Sequence, residues 1–129
     1  MIQRRNCIVI DLDGTLCSVK RPDQSYADVP PRDEVVKRLR AYKNDGFYII
    51  IMTSRNMNTF DGNIGRINAV TARVATAWLD KHEIPYDEIH FGKPWAGHGG
   101  FYVDDRAVRP DEFVSHSYDD IRHLIGEDS

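Results

Sequence analysis

Residues 47–52 read FYIIIM, six apolar residues in a row. A strand with one face in water alternates apolar and polar side chains, so an unbroken run belongs to a strand buried on both faces, the habit of central strands in parallel sheets. Parallel neighbours must be joined by a crossover, usually a helix. Helical patterns flank the run on both sides. From Arg32 to Asp45, Val35, Val36, Leu39 and Tyr42 follow helical spacing, with Pro30 and Pro31 before them and Gly46 as the stop. From Ile67 to His82, Ile67, Val70, Val74 and Trp78 form a second stripe, which Pro85 follows.

The same reading predicts a first strand over residues 6–11, short strands at Glu88–Phe91 and Gly100–Val103, an edge strand at Phe113–Ser115, and a last helix over Tyr118–Ile125 with Ser117 as its N-cap. This alternation implies an α/β domain, a three-layer Rossmann-like fold with a mainly parallel central sheet. Neither a repeat nor a linker interrupts residues 1–129, so a single domain is expected. A composition of 41% hydrophobic and 29% charged residues supports a packed core rather than disorder.

A formal net charge of -3 supplies no basic field, which argues against nucleic acid or an anionic membrane as the main partner. Arg4-Arg5 and Lys20-Arg21 are read as solvated surface. Two cysteines, Cys7 in a strand and Cys17 in a loop, suggest a reduced compartment rather than a disulfide framework. With no apolar segment long enough to span a bilayer, the expectation is a soluble, cytoplasmic protein.

Ligands of open parallel sheets bind beyond the carboxyl ends of the strands, so the residues that follow each strand were read together. The first strand runs CIVI into Asp11 and Asp13; the second ends in Thr53, Ser54 and Arg55, the third in Gly92 and Lys93, the fourth in Asp104, Asp105 and Arg106. Four carboxylates on one sheet edge would repel one another unless cations joined them. With Asp13 protonated, Lys93 and one divalent ion bring the set to formal neutrality, and a dianionic phosphate can approach. An all-oxygen donor set favours Mg²⁺ over Zn²⁺. Such an arrangement suits phosphoryl transfer, with a carboxylate nucleophile, a second carboxyl as general acid, and the metal, Lys and Thr holding the equatorial oxygens.

DLDGTL at 11–16, Thr53 after an apolar strand, Lys93 in FGKP and Asp104-Asp105 in YVDDR resemble the four ordered motifs of the haloacid dehalogenase-like superfamily, over residues 7–110. The segments DGNIGRIN, YDEIHFGKP and FYVDDRAV are similar to small phosphatases of that superfamily associated with capsule and surface-polysaccharide biosynthesis. The resemblance implies that Asp11 attacks phosphorus, that Asp13 protonates the leaving oxygen and then activates water, that Thr53 binds a phosphoryl oxygen, and that Lys93 steadies both. It also implies that Asp104, Asp11 and the main-chain carbonyl of Asp13 bind Mg²⁺, with Asp105 a second acidic position. Asp at position 13 favours phosphate-ester hydrolysis over dehalogenation.

About 40 residues separate Asp13 from Thr53 and about 40 separate Thr53 from Lys93, each gap filled by a loop, helix and strand. No cap domain is therefore encoded, and the site should be open, shielded by the 16–30 and 56–66 loops or by a neighbouring subunit in a homo-oligomer. Leaving-group selection falls to loop residues: Ser54, Arg55, Asn56, Asn63, Arg66, Trp95 and His98 are the candidates. The expected activity is a Mg²⁺-dependent phosphomonoesterase acting on a small phosphorylated metabolite, a sugar or polyol phosphate. A phosphatase of nucleotide or nucleic-acid ends is the alternative within enzymes. A phospho-accepting signalling domain is the alternative outside them, although there the acidic pair normally comes first and the Lys last.

Overall fold

The computed structural model describes residues 6–126; the Arg4-Arg5 pair lies outside them. By its internal contacts the chain divides into two compact units, Met1–Trp95 and Ala96–Ser129.

The first unit is a mixed α/β structure. Its sheet, among the described residues, has three parallel strands in the order β1 (Cys7–Ile10), β2 (Tyr48–Thr53), β3 (Glu88–Phe91). The FYIIIM run supplies the central strand: Ile49, Ile50 and Ile51 are all buried although they alternate between faces. Only Met52 in its second half reaches solvent. At the foot of the sheet the Asp87 carboxylate accepts from the Ile49 N–H at 2.8 Å and pairs with Lys43 at 2.7 Å. This clamp sets where β3 begins against β2.

Helix α1 (Asp33–Asn44) buries Val35, Val36, Leu39 and Tyr42, the four positions that its spacing marks, and Phe47 meets the Tyr42 ring edge-on at 4.8 Å. The second crossover is helical from Ile64 to Lys81 but not uniform: α2 (Ile64–Arg66) runs through a π-helical turn (Ile67–Thr71) into α3 (Ala72–Lys81). Its buried face is Ile67, Thr71, Ala75, Trp78 and Leu79, whereas Val70 and Val74 are exposed. The expected stripe is thus displaced by one residue in its middle, because the wider π turn advances the helix face relative to a regular 3.6-residue period.

β1 departs from its expected burial. Ile10 is buried, yet Val9 is 61% exposed, since β1 is an edge strand of the described sheet. Between β1 and α1 the chain forms a short 3-10 turn, Tyr26–Asp28, and Trp78 donates its indole N–H to the Val29 carbonyl at 2.8 Å.

The second unit differs from its expected strands. Residues 100–103 form no strand, and Phe101 and Val103 lie fully in solvent. Glycines 97, 99 and 100 lead into Phe101 and a turn closed by Asp104 Oδ1 on the Arg106 N–H at 2.8 Å follows Val103, and glycine weakens a strand. Phe113–Ser115 belongs to helix α4 (Pro110–Ser115) rather than an edge strand. Pro110 at the first helical position and Glu112, which accepts from the Arg109 N–H at 2.9 Å, start a helix that overrides the β preference of Phe and Val. Helix α5 (Tyr118–Leu124) begins at Ser117, whose hydroxyl accepts from the Asp120 N–H. No helix among the described residues is long and apolar enough to cross a membrane.

Candidate functional site

Because β1, β2 and β3 are parallel, their carboxyl ends share one edge of the sheet, and Asp11, Thr53 and Lys93 follow from those three ends. The Lys93 N–H donates to the Thr53 carbonyl at 3.1 Å, so the β2–β3 ladder continues past Phe91 and delivers Lys93 to the edge. Gly92 permits this turn. It adopts φ +87°, a left-handed conformation that favours glycine; a Cβ there would stand 2.8 Å from Ile64 Cδ1, the tip of an exposed side chain that can swing aside.

Asp11 stands at the tip of β1. Its carboxylate is about one-third exposed, with Lys93 Nζ 3.8 Å from Oδ1 and the Thr15 hydroxyl donating to Oδ2 at 3.4 Å. Burial pushes the Asp11 carboxyl above its usual range, while the Lys93 ammonium and the Leu12 main-chain N–H pull against that rise. These contacts are long. The group is lightly held, with a cation beside it and solvent in front.

Asp13 is held differently. Gly14, at φ +83°, turns the chain back so that Asp13 forms an isolated bridge with Cys17. Both carboxylate oxygens accept from Arg55, Oδ2 from Nε at 3.1 Å and Oδ1 from Nη2 at 2.8 Å, and the Cys17 thiol donates to Oδ1 at 3.4 Å. The Arg55 side chain is 1% exposed. Its guanidinium lies 4.2 Å from the centroid of Tyr26, and its main-chain N–H donates to the Thr53 hydroxyl at 3.1 Å. Burial, and then the Asp13 charge, pushes the Cys17 thiol up to about 12, which disfavours the thiolate that a nucleophile needs.

The remaining loop candidates differ in how they are held. Ser54 is half-buried. Asn56 takes a left-handed φ of 62° and accepts from the Thr71 hydroxyl at 2.7 Å. Asn63 caps α2, accepting from the Arg66 N–H, and the Arg66 guanidinium stacks on Phe60. Arg55, read from the sequence as a substrate contact, is in the fold the buried partner of Asp13. Trp95 is 40% exposed. Asp104, Asp105 and His98 are exposed residues of the second unit, where Asp104 accepts from the Arg106 N–H.

Tyr26, Thr15 and Arg32 add to the site residues expected from the sequence. Thr15 carries a weak signal, four residues beyond Asp11 in a tight loop. Tyr26 carries none, being 29 residues from the Arg55 on which it stacks. Arg32 donates from Nη1 to the Gly14 carbonyl at 2.9 Å and so ties the loop to the start of α1.

Among the described residues no three His, Cys, Asp or Glu side chains gather closely enough to hold a metal ion. The donors at the strand tip are nonetheless hard oxygens, the chemistry that suits Mg²⁺, and Asp11 offers a carboxylate that is not fully engaged by protein partners.

The fold and this edge define a mixed α/β protein with acidic, hydroxyl and ammonium groups at the carboxyl ends of parallel strands. The crystal structure of a target protein from Vibrio cholerae matches it with a TM-score of 0.89 at 52% identity, covering 93% of this chain and 96% of that one. The chain belongs to the same family as that protein. No family model and no curated protein matches the chain.

Proposed function

We propose that the protein is a Mg²⁺-dependent phosphomonoesterase of the haloacid dehalogenase-like superfamily, without a cap domain, that hydrolyses a sugar or polyol phosphate through an aspartyl-phosphate on Asp11. The observation that carries this reading is the approach of Lys93 to Asp11 at the shared carboxyl ends of parallel strands, with Asp13 two residues further on. A carboxylate between an ammonium and solvent is a nucleophile that an anionic phosphate can reach.

In the first step an Asp11 oxygen bonds to phosphorus as the ester P–O bond breaks, and the departing oxygen takes the proton of the Asp13 carboxyl. In the second, the Asp13 carboxylate removes a proton from water, whose oxygen bonds to phosphorus as the Asp11–P bond breaks, releasing phosphate and restoring both carboxyls. Lys93 neutralises charge on Asp11 and on the transferring group throughout. Within the first unit, the residues that would hold Mg²⁺ are Asp11 through its carboxylate and Asp13 through its main-chain carbonyl. When bound, the ion would neutralise phosphoryl oxygens.

Phosphate release across a panel of sugar, polyol and nucleotide phosphates, with Mg²⁺ and with a chelator, tests the reading. Release from the sugar and polyol esters that needs Mg²⁺ and disappears in Asp11→Asn is the expected result. Undiminished turnover in that variant would sink the mechanism.

A further inference from the structure

Resting on that reading, we infer that Arg55, locked beneath the Tyr26 ring, is the positioning residue for Asp13: it fixes the carboxyl group that serves the leaving oxygen.

The guanidinium is constrained in every direction that matters. In its own plane, Nε and Nη2 make two parallel bonds to the two Asp13 oxygens, a fork that sets the rotation of the carboxylate as well as its distance. Across its face, the Tyr26 ring at 4.2 Å stops it from tilting. From behind, its main chain is tied to Thr53 at the tip of β2. Tyr26 is placed by the fold in turn, since it opens the 3-10 turn whose following residue, Val29, is buried and bonded to Trp78 of α3. One chain of contacts therefore runs from the tip of β2 and from α3 to the Asp13 carboxylate.

Stability alone does not account for an arginine here. The Arg55 side is buried and the Asp13 side 26% exposed, and an ion pair taken out of water often gives no more stability than apolar residues of similar volume; Nη1 of Arg55 is buried with no hydrogen-bond partner among the described residues, which adds a further cost. What an apolar residue cannot provide is the fork. A lysine cannot provide it either, being a point charge without planar geometry. The arrangement also answers a need of a site without a cap: an acid that faces solvent must be oriented from below.

The test uses two esters and the full chain with Mg²⁺. Glycerol phosphate needs a proton on its leaving alkoxide, whereas nitrophenyl phosphate releases a stable phenolate without one. Arg55→Lys and Arg55→Met are expected to lower kcat/KM for glycerol phosphate, which reports the steps through departure of the leaving group, about 100-fold, within the range of a positioned general acid, with the nitrophenyl kcat/KM changed less than about threefold. Tyr26→Leu shifts the ratio of the two esters in the same direction by about tenfold, and Tyr26→Phe, which keeps the ring, recovers most of that loss. Independently of turnover, one arginine Nε–H signal in the NMR spectrum should resist solvent exchange, and vanish in Arg55→Lys and in Asp13→Ala.

Equal losses of kcat/KM on both esters would make Arg55 a merely structural residue, and a raised KM with kcat intact would make it a substrate contact; either overturns the inference while the phosphatase reading stands. Wild-type protein that turns over neither ester overturns that reading and this role with it. Absence of any protected Nε–H signal in wild-type protein overturns the pairing itself. Should the Arg55 variants fail to fold, the ester ratio in Tyr26→Leu decides, and an unchanged ratio refutes the role.

Discussion

Asp11 and Asp13 stand two residues apart, and their surroundings have little in common. Asp11 sits at a strand tip with long contacts, 3.4 Å to Thr15 and 3.8 Å to Lys93. Asp13 sits in a turn with both oxygens taken by a buried guanidinium at 3.1 and 2.8 Å and a thiol beside it. A group that must form and break a bond to phosphorus profits from being lightly held, whereas one that must deliver a proton along a fixed line profits from being clamped. The same residue type two positions apart can thus be prepared for two tasks by its neighbours alone.

The sharpest way to break this comparison is Asp11→Asn. Turnover should fall by about 10⁴-fold or more, as for loss of a nucleophile, and thermal unfolding at pH 7 should show no loss of stability. The sign follows from the raised pKa. A carboxyl whose folded value lies above its unfolded one stabilises the fold fully below the unfolded value, and that stability is lost as pH rises through the folded value. Once ionised, the partly buried Asp11 is a net cost that Asn removes. A marked drop in melting temperature at pH 7 would refute the account of its burial.

Lys93→Met probes the cation on the Asp11 side. Phosphate release should fall about 10²–10³-fold, the scale of losing one charge-stabilising group, while the exchange-protected Nε–H of Arg55 persists. Loss of that signal in the Lys93 variant would show that the two surroundings are one.

Gly92→Ala acts on the support beneath Lys93. The left-handed φ should cost about 1–2 kcal/mol in denaturant unfolding. Wild-type stability would mean that the turn before Lys93 is free to relax.

Thr15→Val should have the smallest effect. The 3.4 Å contact to Asp11 is long for a hydroxyl donor, so unfolding free energy should shift by less than about 1 kcal/mol. A larger shift would place Asp11 among the tightly held groups and erase the contrast with Asp13.

Much of the frame was readable along the chain because its signals are local. FYIIIM marked β2, Glu88–Phe91 marked β3, and the four apolar positions of α1 are the four it buries. Parallel pairing then brought Asp11, Thr53 and Lys93 to one edge. Local signals misled where a competing local term was stronger, as when Pro110 and Glu112 drew Phe113 into a helix, or where a single π turn shifted the buried face from Val70 and Val74 to Thr71 and Ala75. They also misled at 100–103, where apolar residues suited to a strand are exposed.

The sequence by itself determined the mixed α/β order, the central parallel strand and the polar residues at the strand ends, because apolar periodicity and chain connectivity decide these. Only the tertiary structure decided that Arg55 turns inward to Asp13 beneath Tyr26, and that Lys93 rather than Arg55 stands beside Asp11. Positions 13, 26 and 55 share no period and no motif; they meet because a turn at Gly14, the loop before α1 and the tip of β2 close on one another, and loop closure leaves no mark on local spacing.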